Sequence, residues 1–247
     1  MKKISFLSMM MLAVVVLPLM VACGDDDDDV FDTTPIRMLS NGEKTISGAE
    51  TITSTNEFVA YAKDNKVMAF HVGETELIVN GKYKIPLTVS PLYNLYNDPV
   101  CDWGCSMEYV KNHQKQGTLS SKSTSTLLAY ENAGGASVMG YSFENGKLKS
   151  AIALVSTSHA STLVDYLLER YLIAPYYKGS ETYYVGFDGL SEEKANTAIL
   201  MQVYSASMIS VVYTSVKTSS ARGDFSNNSD EDLKDYTKEL SRLFLPE

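Results

Sequence analysis

From Pro35 to Pro91 the apolar residues recur in short alternating runs, separated by Asn41-Gly42, Ser47-Gly48, Asp64-Asn65, Gly73 and Asn80-Gly81. Alternation with a period of two places one set of side chains on each face of a strand, and the Asn-Gly steps supply the positive φ that tight turns need. The main strands predicted here run from Glu57 to Ala62, Lys66 to Phe70, Thr75 to Val79 and Tyr83 to Val89. Ser90 to Pro99, with Pro91, Asn94, Asn97, Asp98 and Pro99, interrupts the pattern and reads as a linker, with Tyr93 and Tyr96 packed at the junction.

Beyond that break the periodicity changes. Ser106 stands where an N-cap is expected, ahead of a short helix through Val110 and His113. Strands from Thr126 to Tyr130, Ser137 to Phe143 and Lys147 to Val155 follow, the last two joined by a hairpin at Asn145-Gly146. His159 to Leu172 predicts a helix, because Val164, Leu167, Leu168 and Tyr171 fall at i, i+3, i+4 and i+7. Three more strands run from Thr182 to Phe187, Thr197 to Tyr204 and Met208 to Thr214. A helix followed by three strands thus occurs twice, which predicts one antiparallel sheet with both helices on one face. On the opposite face Gln202, Tyr204 and Met208 form the expected contact surface. The competing occupant of that face is a last helix, Asp230 to Phe244, capped by Ser229 and apolar along Leu233, Tyr236, Leu240 and Leu243.

The first residues tell a different story. Met1-Lys2-Lys3 gives a positive start, and Ile4 to Ala22 is an apolar run with the length and flanks of a secretory signal. Met20-Val21-Ala22-Cys23 resembles the lipobox of bacterial lipoproteins, with Met20 where leucine is usual. The resemblance implies cleavage before Cys23 and acylation of its thiol, so that lipid alone holds the mature chain to a membrane. Asp25, Asp26, Asp27, Asp28 and Asp29 follow Gly24 as a solvated tether. Placed directly after the cysteine, they also resemble the surface-export signal of Bacteroidetes lipoproteins, which implies an outer-membrane protein facing the cell exterior.

Two further resemblances bear on the fold. Ser54-Thr55-Asn56, Val59-Ala60, Val67-Met68-Ala69, Val72-Gly73-Glu74-Thr75, Leu77-Ile78-Val79 and Leu87-Thr88-Val89 look like the group 2 bacterial immunoglobulin-like domain. That family implies a β-sandwich serving as spacer or adhesion module, with no catalytic residues. The doubled helix-and-strands order resembles the beta-lactamase-inhibitor-protein fold, on element order alone. The expected organisation is a leader (1–22), an acidic tether (23–34), an all-β immunoglobulin-like domain (35–98), an α+β domain (99–217), and a loop with the C-terminal helix (218–247).

Composition narrows the chemistry. The net charge is −9 and loss of Lys2 and Lys3 with the leader makes the chain more acidic, which disfavours nucleic acid. His71, His113 and His159 occur singly, without metal-ligand spacing, and neither a Gly-x-Ser-x-Gly elbow nor a phosphate-cradling loop is present; Gly134-Gly135 reads as the approach to a strand. No catalytic residue, cofactor or metal is therefore expected. Cys101 and Cys105 could close a disulfide if the chain turns at Trp103-Gly104, or could be two small buried residues. Arg222-Gly223-Asp224 spells an integrin-type tripeptide in a polar loop, where chance matches are common. Tyr176-Tyr177 and Tyr183-Tyr184 offer rings for sugar stacking, with strand packing the favoured reading. The expected function is a surface-displayed binding module for protein partners, with glycan capture as the alternative and hydrolysis a distant third.

Overall fold

The asparagines and the aspartate of the expected turns adopt left-handed backbone angles: φ is 60° at Asn41, 55° at Asp64, 51° at Asn80 and 52° at Asn145. Short polar side chains tolerate this region better than other L-residues, so the chain reverses at each and the apolar runs between them pair. The computed structural model describes residues 31–178 and 181–216. Cys23, Asp25 to Asp29, Arg222 to Asp224 and the helix expected from Asp230 to Phe244 lie outside the described residues.

The first seven strands are β1 (Ile36–Leu39), β2 (Glu43–Thr45), β3 (Ile52–Ser54), β4 (Ala60–Lys63), β5 (Lys66–Ala69), β6 (Gly73–Val79) and β7 (Tyr83–Ser90). They form two sheets, ordered β1-β7-β6-β3 and β2-β5-β4. β1 runs parallel to β7, whereas the other pairs are antiparallel. Alternation does the sorting: Thr75, Leu77 and Val79 of β6 and Ile85, Leu87 and Val89 of β7 are buried, and their neighbours in sequence are not. The strand expected from Glu57 begins only at Ala60. Asn56 accepts the Phe58 N–H on Oδ1 and the Val59 N–H on its carbonyl, and this local turn outcompetes extension.

The second part comprises α1 (Met107–His113), β8 (Thr118–Leu119), β9 (Leu127–Ala133), β10 (Ala136–Glu144), β11 (Lys147–Ser156), α2 (Ala160–Leu168), β12 (Leu172–Lys178), β13 (Glu181–Phe187), β14 (Thr197–Val203) and β15 (Met208–Ser215). Ser106 caps α1, its hydroxyl accepting the Tyr109 N–H at 3.2 Å. Each helix is followed by four strands rather than three. All eight strands lie in one antiparallel sheet, β12-β13-β14-β15-β11-β10-β9-β8, so the last strands of the two sets pair at its centre. Val110 of α1 and Leu163, Tyr166 and Leu167 of α2 share a core with Leu128, Tyr141, Ala153, Val211 and Tyr213, which places both helices on one face. The fold is largely β, with two short α-helices among the described residues.

Two differences from the sequence expectation concern α2. It stops at Leu168, and Leu172 already belongs to β12, an edge strand that accommodates Pro175 because the side of a proline lacking an N–H can face outward there. The buried stripe is Leu163, Tyr166 and Leu167; Val164 and Leu168 face solvent. Both sets satisfy helical spacing, so the choice lay with the neighbours and not with the period.

The stretch expected as a linker is held against the body. Tyr96 is buried and its hydroxyl meets that of Tyr213 at 2.7 Å, while the Leu95 carbonyl accepts the Gly135 N–H at 2.7 Å. At the end of α2 the buried Glu169 carboxylate accepts the Ser40 hydroxyl and the N–H groups of Leu92 (2.9 Å) and Tyr93 (3.0 Å), and its carbonyl accepts the Val72 N–H at 2.7 Å. Arg170 beside it donates from Nε to Asp98 at 2.7 Å and lies 3.8 Å over the Tyr166 ring. These bonds draw Ser40, Val72 and Leu92 to the end of α2.

Candidate functional site

The histidines are accounted for by packing and position. His71 stacks on Phe58 with ring centroids 3.9 Å apart, and its Nδ1 lies 2.6 Å from the Phe58 carbonyl; a carbonyl only accepts, so Nδ1 carries the proton. His113 repeats the arrangement on Tyr109, at 3.8 Å between rings and 2.8 Å to the carbonyl. His159 precedes α2 at its N-cap position, with no side-chain capping bond. Among the described residues no group of three or more His, Cys, Asp or Glu side chains could hold a metal ion, and no helix is long and apolar enough to cross a membrane.

The expected contact face is mostly covered. Gln202 and Tyr204 are half-buried and Met208 is buried, with Leu127, Ile152, Leu154, Leu200 and Val212 buried on the same side, opposite α1 and α2. The most exposed apolar side chain of that hairpin is Val203, which alternation puts on the other side of β14. Tyr183 is buried and Tyr176 packs beside it on this face, whereas Tyr177 and Tyr184 are exposed. Cys101 and Cys105 are free thiols. Burial pushes the Cys101 thiol well above its ordinary value, with Asp98 and Asp188 adding to the effect, and burial followed by Asp102 raises that of Cys105. A thiol kept protonated is a poor nucleophile.

What sequence reasoning missed is a cleft of about 1010 Å³ at the end of the sheet where the β10–β11 hairpin turns, β14 begins and β15 ends. The segment Cys101 to Gly104 forms one wall, and Trp103, the only tryptophan of the chain, stands in it half-buried. Backbone bonds fix this wall. Gly104 N–H reaches the Leu148 carbonyl at 3.0 Å, Leu148 N–H returns to Cys105 at 2.8 Å, and Cys105 N–H closes on Asp102 at 3.0 Å. The indole Nε1 donates to Thr197 Oγ1 at 3.3 Å. At the same Thr197, Asp188 Oδ1 accepts the N–H groups of Asn196 (2.7 Å) and Thr197 (2.9 Å), which sets the direction of its carboxylate. Glu144 and Lys149 pair at the rim at 3.0 Å, both more than half exposed. The lining therefore combines one flat apolar ring with short side chains that can donate or accept, and carries three carboxylates and two lysines.

The sequence did hold a signal. A lone tryptophan between Asp102 and Gly104, in a chain of sixteen tyrosines, is an unusual choice for a turn, but nothing local marks Asp188 and Asn196 as its neighbours in space. The fold and the cleft together define a largely β protein with a semi-polar groove at a sheet end. Compared with known proteins, the chain matches no family model, no curated protein and no solved structure.

Proposed function

We propose that this chain is a lipid-anchored outer-membrane lipoprotein, displayed outward, whose folded body is a non-catalytic binding module for a protein partner. The anchor rests on the positive start, the apolar run to Ala22, Cys23 and the aspartates that follow. The observation carrying the partner reading is the surface around the end of α2. Glu169 gathers Ser40, Leu92 and Tyr93 there, and Leu39, Leu92 and Leu168 are exposed by 52%, 48% and 50% around a carboxylate that is itself buried. Apolar side chains left in water beside residues held on one rigid support favour association. The two sheets of residues 36–90 support reading that part as immunoglobulin-like. The central pairing of two helix-led strand sets supports likeness to the beta-lactamase-inhibitor-protein fold.

Cross-linking on intact cells tests the partner reading. A defined partner captured by the wild-type protein and lost in Leu92→Glu/Leu168→Glu supports it; equal capture by the variant refutes it. Cys23→Ser should move the protein to the soluble fraction, and membrane association that persists until detergent is added would refute the anchor. Replacing Asp25 to Asp29 by alanine should leave the protein lipidated but inaccessible to labels on intact cells. A glycan-binding role is the second reading, favoured by the Trp103 cleft.

A further inference from the structure

The cleft beside Trp103 has no part in the protein-partner surface, and its chemistry is distinct. Its lining holds one aromatic side chain, the Trp103 indole, with Leu148 as the other large apolar residue, and a flat ring suits a ligand with a flat apolar face of its own. Around it stand Asp102, Asn145, Asp188, Asn196 and Thr197, a set that offers both donors and acceptors on short side chains. Such a set recognises hydroxyls, which donate and accept at once. The charges argue against an ionic ligand: three carboxylates face two lysines, and Lys149 is already paired with Glu144. A phosphate or sulfate would meet Asp102 and Asp188, and a strongly basic ligand would meet Lys147.

The groove is also preformed. Trp103 is tied to Thr197, Gly104 to Leu148 and Asp188 to the start of β14, so these parts of the lining are set before a ligand arrives and little ordering opposes binding. Its volume lies at the upper end of the roughly 300–1,000 Å³ usual for small-molecule sites. It leaves room for a segment of an oligosaccharide rather than a single ring.

We propose that this cleft is a saccharide-binding site, in which an uncharged sugar ring stacks on Trp103 and its hydroxyls are held by Asp102, Asp188 and Asn196. The proposal deepens the glycan reading given above by assigning it a site and a ligand class. Because Trp103 is the only tryptophan, its fluorescence in the mature full-length protein reports this cleft and nothing else. The test is titration with a panel of neutral gluco-, manno- and galacto-oligosaccharides, with oligolysine and an acidic oligosaccharide as comparisons. The expected result is a saturable emission change with at least one neutral oligosaccharide and with neither comparison ligand. Asp102→Ala, at an exposed position, should weaken that binding by about tenfold or more. Trp103→Phe, followed by calorimetry, should weaken it similarly, while Leu92→Glu/Leu168→Glu should leave it unchanged. No emission change across the neutral panel overturns the proposal, as does a response confined to oligolysine or the acidic sugar. Saccharide binding that survives both cleft substitutions overturns this site while leaving the glycan reading standing.

Discussion

Glu169 Oε2 accepts the backbone N–H of Tyr93 at 3.0 Å, across 76 residues of sequence. The same carboxylate holds Leu92 N–H and the Ser40 hydroxyl, so one buried side chain satisfies donors from two distant segments. Glu169→Ala would strand those donors and remove a carboxylate oxygen 3.6 Å from Arg170 Nη1, leaving Arg170 its closer bond to Asp98. The expected loss of stability is about 3 kcal/mol, with a smaller loss for Glu169→Gln, which keeps one acceptor oxygen. Denaturant unfolding measures it; a midpoint unchanged in Glu169→Ala would show that the junction stands without the carboxylate.

His71 should make the protein acid-sensitive. Burial against Phe58 lowers its pKa below the ordinary 6.5, only partly opposed by the bond to the Phe58 carbonyl. With the folded value below the unfolded one, the unfolded chain binds more protons as pH falls, so this contribution is present above about pH 6.5 and is lost as pH falls through the folded pKa. His71→Phe preserves the stacked ring and should flatten that part of the stability profile. A profile whose slope in the substituted protein is unchanged as pH falls below about 6.5 would contradict it.

Gly135 is required by proximity. A Cβ there would lie 2.3 Å from Leu95 Cδ1 and 2.8 Å from the Leu95 carbonyl oxygen, which accepts the Gly135 N–H. Gly135→Ala should therefore cost about 1–3 kcal/mol and loosen the segment carrying Tyr96. Faster hydrogen exchange at Tyr96 in the variant is the specific signature, and Leu95→Ala should relieve part of the cost.

Ser210 carries the opposite expectation. It is fully buried on the face opposite α1 and α2, and among the described residues its Oγ finds no hydrogen-bond partner. Ser210→Ala removes a desolvated hydroxyl from between its cross-strand partners Gln202 and Leu154 and should raise stability by roughly 1 kcal/mol. A clear loss of stability would reveal a partner for that hydroxyl.

Much of this fold was legible because its signals are local. Asn145-Gly146 placed the β10–β11 hairpin, Ser106 placed the start of α1, and alternation sorted Ile209, Val211 and Tyr213 from Met208, Ser210 and Val212 as the structure does. Strand β12 was missed because Pro175 argues against a strand unless an edge position is known beforehand. The cleft was missed because its residues come from five separate places between Cys101 and Ser215, and nothing local marks Asp188 as the partner of Trp103's wall.

By itself the sequence determined where most of the longer strands lie, where they turn and which of their side chains share a face, since each depends on a few consecutive residues and on the pleat or pitch of the backbone. Tertiary structure alone decided which of two equivalent stripes of α2 is buried, that the Ser90 to Pro99 stretch is clamped by Glu169, Asp98 and Tyr96, and that the face bearing Met208, opposite α1 and α2, is largely buried. Those outcomes depend on desolvation and on hydrogen bonds between residues far apart in the chain. No window of sequence contains both partners of such a contact, so no period or motif can express it.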